Sequence, residues 1–174
     1  MVKTIFLDRD GVINIPNIVD SKPYAPRKFH DFVLYDGIED LLSYFRRLGY
    51  LLLVVTNQPD IGNKLMDVKE LYKMHNFLCS VLPIMEVIVC PHSQTDDCKC
   101  RKPKAGMISE AIKKYDIDVA QSWLIGDRWS DILAGASAGL RTIFVDRHYS
   151  ESLLKSIESD YRVEKLEQIY ETIF

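Results

Sequence analysis

Short apolar segments alternate with longer amphipathic segments along this chain. Five short segments are rich in β-branched or aromatic residues, at residues 3–7, 50–55, 85–89, 122–125 and 141–145. Continuous apolar runs of this length are typical of parallel strands that are buried on both faces. Between and after them, apolar residues recur at helical spacing, which predicts helices at residues 38–48, 68–81, 106–115, 130–138 and 163–173.

Glycine, proline and capping residues mark the ends of the predicted helices. Gly49 and Gly139 follow two of them, and Pro83 stops another. Asp67, with Glu70 three residues later, forms a capping-box sequence at residue 68. Strands that alternate with helices predict an α/β fold, a doubly wound, Rossmann-like parallel sheet with helices on both faces. The predicted loops at 14–36, 57–66 and 90–105 each follow a strand, where function concentrates.

Length and charge narrow the class of protein. A chain of 174 residues suits a single domain, residues 1–174, large enough to bury its own core. The net charge is −3, and basic residues are scattered apart from Arg101, Lys102 and Lys104, so we expect no nucleic-acid partner. We find neither a signal peptide nor an apolar run long enough to span a membrane, and therefore expect a cytoplasmic monomer without a membrane partner.

Two aspartates follow the first predicted strand. Asp8 and Asp10 come directly before Gly11, a residue that makes a tight turn at little cost. Strand ends in an open parallel sheet form the crevice where ligands bind. Adjacent buried carboxylates repel each other, so this pair predicts a cation or a shared proton between them. The alternative is a solvated turn after an edge strand.

Two further strand ends carry polar side chains. After the second strand, the hydroxyl of Thr56 and the amides of Asn57 and Gln58 are placed to hold a phosphoryl oxygen, although ordinary turn chemistry also explains them. After the fourth strand, Asp127 and Asp131 flank the start of a helix, where helix capping accounts for only one of them. Carboxylate oxygens from two strand ends, with one of them near Asp8, would suit Mg2+.

A cationic cluster and a cysteine-rich segment share the third loop. Arg101, Lys102 and Lys104 precede the helix predicted at 106, so they are suited to collect phosphate, although charge runs are usually solvated. Just before them, three thiols and one imidazole lie within eleven residues: Cys90, His92, Cys98 and Cys100. This is the ligand set of a structural zinc site, and a disulfide is the competing interpretation.

The remaining cysteine, Cys79, lies within a helical pattern, and we expect it in the core.

In this order, the four strand-end elements resemble the haloacid dehalogenase (HAD) superfamily of phosphohydrolases. The resemblance covers nearly the whole chain, through DRDG at Asp8, Thr56, Lys102 and the GDRWSD segment at Gly126. It implies Asp8 as nucleophile, Asp10 as general acid and base, and Thr56 and Lys102 as stabilisers of the phosphoryl oxygens. It also implies Mg2+ held by Asp8, the main-chain carbonyl of Asp10 and Asp127, with Asp131 orienting the metal shell.

The zinc loop ending in Cys100-Arg-Lys-Pro is similar to the subgroup of heptose 1,7-bisphosphate and histidinol-phosphate phosphatases. For this subgroup we expect a phosphorylated sugar or another small phosphorylated metabolite as substrate, with heptose bisphosphate losing its 7-phosphate ahead of histidinol phosphate. The residues expected to bind substrate are Arg9, Asn57, Gln58, Arg101 and Arg128. The preference for a bisphosphate depends on a cationic rim of Lys22, Arg27, Lys28 and Lys64 beside Arg101 and Lys102.

Two departures from the subgroup pattern concern the substrate. Residues 59–64 read Pro-Asp-Ile-Gly-Asn-Lys where the heptose enzymes usually have a small residue, glycine and then arginine, and Arg128 stands where lysine is usual. Residues 14–31, with Tyr24 and Arg27, are the other segment expected to contact the distal end of the substrate, whereas His30 is expected at the surface.

The intervals between the motifs leave no room for an inserted cap domain, which favours an open hydrolase over a phosphomutase. A receiver-like signalling module is a different class of function, but Asp10 and the zinc loop argue against it. A silent phosphate-binding module is the other, but the motif residues are all intact.

Overall fold

Six parallel strands and five helices form the framework of the chain in a computed structural model, which describes residues 1–150 and 157–173. The strands are β1 (Thr4–Leu7), β2 (Asn17–Val19), β3 (Lys22–Tyr24), β4 (Leu51–Asn57), β5 (Glu86–Cys90), β6 (Trp123–Gly126), β7 (Arg141–Val145) and β8 (Tyr161–Val163). The helices are α1 (Ile38–Arg47), α2 (Pro59–Gly62), α3 (Val68–Val81), α4 (Gly106–Tyr115) and α5 (Trp129–Ser137). Short 3-10 helices lie at Phe29–Asp31, Val119–Gln121 and Leu166–Glu171.

The main sheet has the order β5-β4-β1-β6-β7-β8, and every neighbouring pair is parallel. Strand β1 lies in the middle, where Phe6 is paired with Leu53 on one side and Leu124 on the other. The chain runs from β1 outward to β5 and then returns to β6 on the opposite side of β1. A doubly wound sheet opens its ligand crevice at such a reversal, here at the carboxyl ends of β1 and β6.

Each face of the sheet has its own apolar core. Because side chains alternate along a strand, Ile5 and Leu7 face one side and Phe6 faces the other. The first core includes buried residues of α1 and α3, and the second includes residues of α4 and α5. Helices therefore cover both faces, which confirms the predicted doubly wound fold.

The predicted elements agree with the structure except at the C-terminus. Strand β7 and helices α3 and α4 have the predicted bounds, and the other predicted strands and helices before residue 145 differ by one or two residues. The prediction of a helix at 163–173 is wrong. Val163 instead ends strand β8, which pairs with β7, and only the 3-10 helix Leu166–Glu171 follows. The extended segment pairs with the backbone N–H and C=O groups along the open edge of β7. This pairing outweighs the tendency of residues 163–173 to form a helix.

The expected capping box at α3 forms only in part. The side chain of Asp67 accepts a hydrogen bond from the backbone N–H of Lys69 at 2.8 Å, so Asp67 is the N-cap. The carboxylate of Glu70 accepts instead from the backbone N–H of Phe29 at 2.8 Å. Glu70 thereby ties the loop after β1 to α3.

The loops that follow β1 and β4 contain elements that the sequence pattern did not predict. Strands β2 and β3 form an antiparallel hairpin, and α2 is a single turn directly after β4. The intervals from β1 to β4 and from β4 to β5 are described throughout, and they hold only these elements, one 3-10 turn, α1 and α3.

Within the described residues, no helix has both the length and the apolar character needed to cross a membrane. The single-domain expectation for residues 1–174 includes residues 151–156 and 174, which lie outside the described residues, and it stays a prediction.

Candidate active site

The turn after β1 brings Asp8 to the mouth of the crevice. The backbone N–H of Asp8 donates to the carbonyl of Ile125 in β6 at 2.9 Å, so the end of β1 is fixed against its neighbour. Three residues after Asp8, Gly11 adopts a φ of +95°, a conformation that favours glycine. The Asp8 residue is 7% exposed. The predicted strand-end aspartate is thus held rigidly with little contact with solvent.

Lys102 lies between Asp8 and Asp131. Its Nζ atom is 2.8 Å from Oδ1 of Asp8, 2.7 Å from Oδ1 of Asp131 and 2.7 Å from the carbonyl of Val55. The side chain of Asn57 donates to the Lys102 carbonyl at 3.0 Å and accepts from its N–H at 3.1 Å. The loop that carries Lys102 is therefore fastened to the end of β4, and its ammonium group is aimed at Asp8.

The carboxylate of Asp10 accepts hydrogen bonds from three side chains. Its Oδ1 atom accepts from Arg9 and from Asn14, each at 3.0 Å, and its Oδ2 accepts from Nε2 of Gln58 at 2.8 Å. The same Gln58 nitrogen lies 2.9 Å from the hydroxyl oxygen of Thr56. Asp10 thus has a fixed orientation, as an acid or base in catalysis needs.

Asp127 contributes a third carboxylate at the end of β6. Oxygen atoms of Asp8, Asp127 and Asp131 lie within 4.8 Å of one another. Both carboxylate oxygens of Asp127 are buried without a hydrogen bond of normal geometry, although Tyr149 lies close enough to affect its pKa. Buried oxygens in this position suit a hard divalent cation, so the residues present fit a Mg2+ site.

The crowding of carboxylates changes their acidity. Burial, together with the charge of Asp131, raises the pKa of Asp8 to about 6, although Lys102 partly offsets the rise. Burial and the charge of Asp8 hold the pKa of Asp127 well above its usual range. Burial alone would lower the pKa of Lys102, but the charges of Asp131 and Asp8 raise it instead. Bound cationic charge would relieve the repulsion among the carboxylates.

A cavity of about 320 Å³ opens above these side chains. Its lining includes nine residues named individually from the sequence: Asp8, Asp10, Lys22, Tyr24, Asn57, Arg101, Lys102, Arg128 and Asp131. Thr56 and Asp127 are buried just outside the lining, at 1% exposure each. Asp60, from the loop at 59–64, also lines the cavity, together with Gln94 and Ser130, which the motifs did not reveal.

Two residues expected to bind substrate do not reach the cavity. Arg9 is fully buried and directs its guanidinium to His75 of α3 and to the carboxylate of Asp10. Gln58 is also fully buried and contacts Asp10 and Thr56. The side chain of Arg9 points inward, where its guanidinium packs over the ring of Phe32 and contacts His75 of α3. These two expectations are corrected: both side chains orient Asp10 instead.

The expected cationic rim forms only in part. Lys22 and Tyr24 of the hairpin line the cavity, whereas Lys28 and Lys64 are not in its lining. Arg27 donates to the carboxylate of Asp60 at 2.6 Å, so its charge is paired at the cavity edge. His30, as expected, is an exposed surface residue.

The cysteine-rich loop brings its four predicted ligands together. The Sγ atom of Cys90 is 3.7 Å from that of Cys98 and 3.2 Å from that of Cys100, and Nδ1 of His92 is 3.1 Å from Cys100. A tetrahedral zinc site has sulfur atoms about 3.8 Å apart, whereas a disulfide bond is about 2.05 Å long. All three cysteines are free, so the cluster is compatible with a metal site.

The fourth cysteine lies elsewhere, because Cys79 is exposed on α3. The expectation of a core position is therefore wrong. Its neighbour Leu78 occupies the buried face of α3 instead.

Comparisons with known proteins agree with this architecture. The HAD-hydrolase-like family model matches residues 99–169. The chain is 38% identical over 148 residues to D-glycero-alpha-D-manno-heptose-1,7-bisphosphate 7-phosphatase of Campylobacter jejuni, covering 82% of this chain and 81% of that one. It is 37% identical over 145 residues to D-glycero-beta-D-manno-heptose-1,7-bisphosphate 7-phosphatase of Helicobacter pylori, covering 80% of each chain.

A solved structure is similar over almost the whole length. D,D-heptose 1,7-bisphosphate phosphatase from B. bronchiseptica, complexed with magnesium and phosphate, has a TM-score of 0.83 and 26% identity, covering 98% of this chain and 99% of that one. A sheet of this order with an aspartate pair after its first strand defines a HAD-like hydrolase. At the identities found, the chain belongs to the HAD-like family of the D-glycero-D-manno-heptose-1,7-bisphosphate 7-phosphatases.

Proposed function

We propose that this chain is a Mg2+-dependent phosphatase that removes the 7-phosphate of a D-glycero-D-manno-heptose 1,7-bisphosphate. The observation that carries the chemistry is the arrangement at the end of β1. Asp8 lies against a lysine at the cavity, and Asp10 is held beside it by three donors. One carboxylate is placed to attack and the other to transfer protons.

The reaction proceeds in two displacements at phosphorus. A carboxylate oxygen of Asp8 attacks phosphorus, the bond from phosphorus to the sugar oxygen breaks, and that oxygen takes a proton from Asp10. Asp10, now a carboxylate, then takes a proton from water, whose oxygen attacks phosphorus. The bond to Asp8 breaks and inorganic phosphate leaves. The ester and one water thus give an alcohol and phosphate, and Asp10 regains its proton.

The cationic groups stabilise the charge that develops on the transferred group. Lys102 lies against Asp8, so its ammonium is placed to contact a phosphoryl oxygen. Thr56 directly follows Val55, whose carbonyl accepts from Lys102, on β4. Asp8, Asp127 and the main-chain carbonyl of Asp10 would hold Mg2+, with Asp131 orienting Lys102. Bound Mg2+ supplies positive charge that neutralises the phosphoryl group during transfer.

The four-residue cluster Cys90, His92, Cys98 and Cys100 would hold a structural zinc ion. Zinc in this position stiffens the loop that leads directly to Arg101 and Lys102. Arg101 lines the cavity, so a fixed loop places its guanidinium for substrate recognition.

The cavity favours a substrate with a second anionic group. Lys22, Arg101 and Arg128 line it beyond Lys102, and the carboxylate of Asp60 is occupied by Arg27. This lining attracts an additional phosphate and repels a cationic amine, such as the far end of histidinol phosphate. The named relatives act on heptose bisphosphates, which supports the same choice.

We further propose that the chain works as a cytoplasmic monomer without nucleic-acid or membrane partners. Its net charge of −3 and its cluster of free thiols suit a reducing compartment and a small-molecule substrate.

A substrate panel with matched lysine variants tests the proposed specificity. Heptose 1,7-bisphosphate is expected to exceed histidinol phosphate in kcat/KM. Lys22→Gln should raise KM for the bisphosphate, while Lys28→Gln, which removes the same charge outside the cavity lining, should not. Equal or higher kcat/KM for histidinol phosphate, or equal effects of the two variants, would contradict the bisphosphate assignment.

A further inference from the structure

A buried contact between Arg9 and His75 lies behind Asp10. Nη1 of Arg9 is 2.9 Å from Nε2 of His75 on α3, and Nη2 of Arg9 donates to Oδ1 of Asp10 at 3.0 Å. Arg9 is fully buried, and His75 is 8% exposed. One guanidinium therefore joins a helix side chain to a cavity carboxylate, through two different nitrogen atoms.

The chemistry of the two side chains fixes the direction of the first hydrogen bond. A guanidinium has donors and no acceptor, so Nε2 of His75 accepts and its ring proton is on Nδ1. Burial and the neighbouring charge of Arg9 lower the pKa of His75 to about 3, which agrees with a neutral ring. An unprotonated imidazole is thus a permanent acceptor for Arg9 at ordinary pH.

The surroundings leave Arg9 few other orientations. Its guanidinium carbon lies 5.4 Å from the ring centroid of Phe32, and Nη1 lies 4.0 Å from the sulfur of Met74. Phe32 in turn packs edge-on against Phe77 of α3 with ring centroids 6.5 Å apart. Apolar side chains pack around the guanidinium. Among the described residues, its hydrogen-bonding and ion-pair partners are His75 and Asp10, besides the weak contact with sulfur.

We propose that His75 is a positioning residue for Asp10. His75 accepts a hydrogen bond from Arg9 and so holds the guanidinium at the angle that directs Nη2 to Oδ1 of Asp10. The carboxylate of Asp10, which lines the cavity, is then held in one orientation, with Oδ1 against Arg9 and Oδ2 against Gln58. This inference rests on the acid and base role proposed for Asp10, and His75 itself touches neither substrate nor metal.

The test separates proton delivery from folding by comparing two leaving groups. An alkyl phosphate, such as a sugar phosphate, needs protonation of its leaving oxygen, whereas p-nitrophenyl phosphate does not. The ratio of their kcat/KM values reports the first displacement, because the leaving group departs in that step. The variants are His75→Leu, which cannot accept a hydrogen bond, and His75→Gln, whose amide oxygen can. Leu71→Ala, at another buried position of α3, is the control for lost stability.

His75→Leu is expected to lower kcat/KM for the alkyl phosphate roughly tenfold or more, because losing a residue that orients the acting group commonly costs this much. The loss for the aryl phosphate should be smaller. His75→Gln should restore the wild-type ratio, and Leu71→Ala should leave it unchanged. If His75→Leu does not fold, His75→Phe takes its place. Equal losses on both substrates, or a His75→Gln enzyme no better than His75→Leu, would overturn the proposal.

Asp10→Asn, measured on the same pair of substrates, identifies which idea has failed. A selective loss with Asp10→Asn but not with the His75 variants refutes the positioning role alone. An unselective Asp10→Asn enzyme refutes the acid role of Asp10, and the role of His75 with it.

Discussion

Gly11 lies directly against Asp127. A Cβ atom at residue 11 would be 1.7 Å from Oδ2 of Asp127, and Gly11 also has a φ of +95°. The turn after β1 therefore accommodates the Asp127 carboxylate only because residue 11 has no side chain. This closeness joins the two strand ends, β1 and β6, into one site.

Gly11→Ala is expected to abolish phosphatase activity and Mg2+ binding, because the new methyl group displaces the Asp127 carboxylate. Gly37→Ala is the matched control: Gly37 has a φ of +77° but would meet no atom within 4 Å. Both variants carry the backbone strain of a positive φ, about 1–3 kcal/mol. Comparable activity and Mg2+ affinity in the two purified variants would show that the contact with Asp127 is unimportant.

Mg2+ binding should depend on pH through Asp8. The pKa of Asp8 is raised to about 6 by burial and by the charge of Asp131, so the metal-free carboxyl is protonated below that value. Mg2+ needs the carboxylate, so binding must displace the proton when pH is below the pKa. Affinity should therefore rise as pH increases through about 6 and weaken as pH falls below it.

Isothermal titration calorimetry with Mg2+ measures this dependence directly. In buffers of different ionisation enthalpy, binding near pH 6 should release protons into the buffer. An affinity that stays constant between about pH 5 and about pH 7 would contradict the proposed ligand role of Asp8.

The cysteine-rich loop should carry zinc independently of the Mg2+ site. We expect about one tightly held zinc ion per chain, whereas Mg2+ should be removable by EDTA and restorable. Cys98→Ser should release the zinc and lower activity, because Arg101 and Lys102 follow directly on the loop. Cys79→Ser, at the exposed cysteine of α3, is the control and should retain both zinc and activity.

Elemental analysis of freshly purified protein, with activity measured on the same sample, checks this. A disulfide between Cys98 and Cys100 in protein without zinc would contradict the metal assignment.

The sequence predicted which strand-end residues lie together where parallel strands dictate their placement. Asp8, Thr56 and Asp127 come at or directly after the ends of β1, β4 and β6, and neighbouring parallel strands end at the same edge of a sheet. The cysteine cluster was predictable for a different reason, since its four side chains are close in the chain and their types are those of a zinc site.

The inward direction of Arg9 was not predictable from local pattern. Its partner His75 is 66 residues away in the chain, and an arginine in a loop is usually expected to face solvent. The pairing of Arg27 with Asp60 was missed in the same way, so the rim was expected to be more positive than it is. Both errors come from long-range pairs that only the folded chain brings together.

The C-terminal error has a different origin. Residues 163–173 have apolar residues at helical spacing, but β7 offers an open edge that an extended segment fills. Sheet pairing is a tertiary effect, and it overrides local propensity there.

The central claim is that Asp8 is the nucleophile of a heptose bisphosphate 7-phosphatase. The most direct measurement is 31P NMR of D-glycero-D-manno-heptose 1,7-bisphosphate incubated with Mg2+ and either the wild-type chain or Asp8→Asn. The wild type should remove the 7-phosphate signal and leave the 1-phosphate. Asp8→Asn should fold and bind but show no turnover, because the near-isosteric amide cannot attack phosphorus. Loss of the 1-phosphate, no reaction with the wild type, or appreciable turnover by pure Asp8→Asn protein would contradict the account.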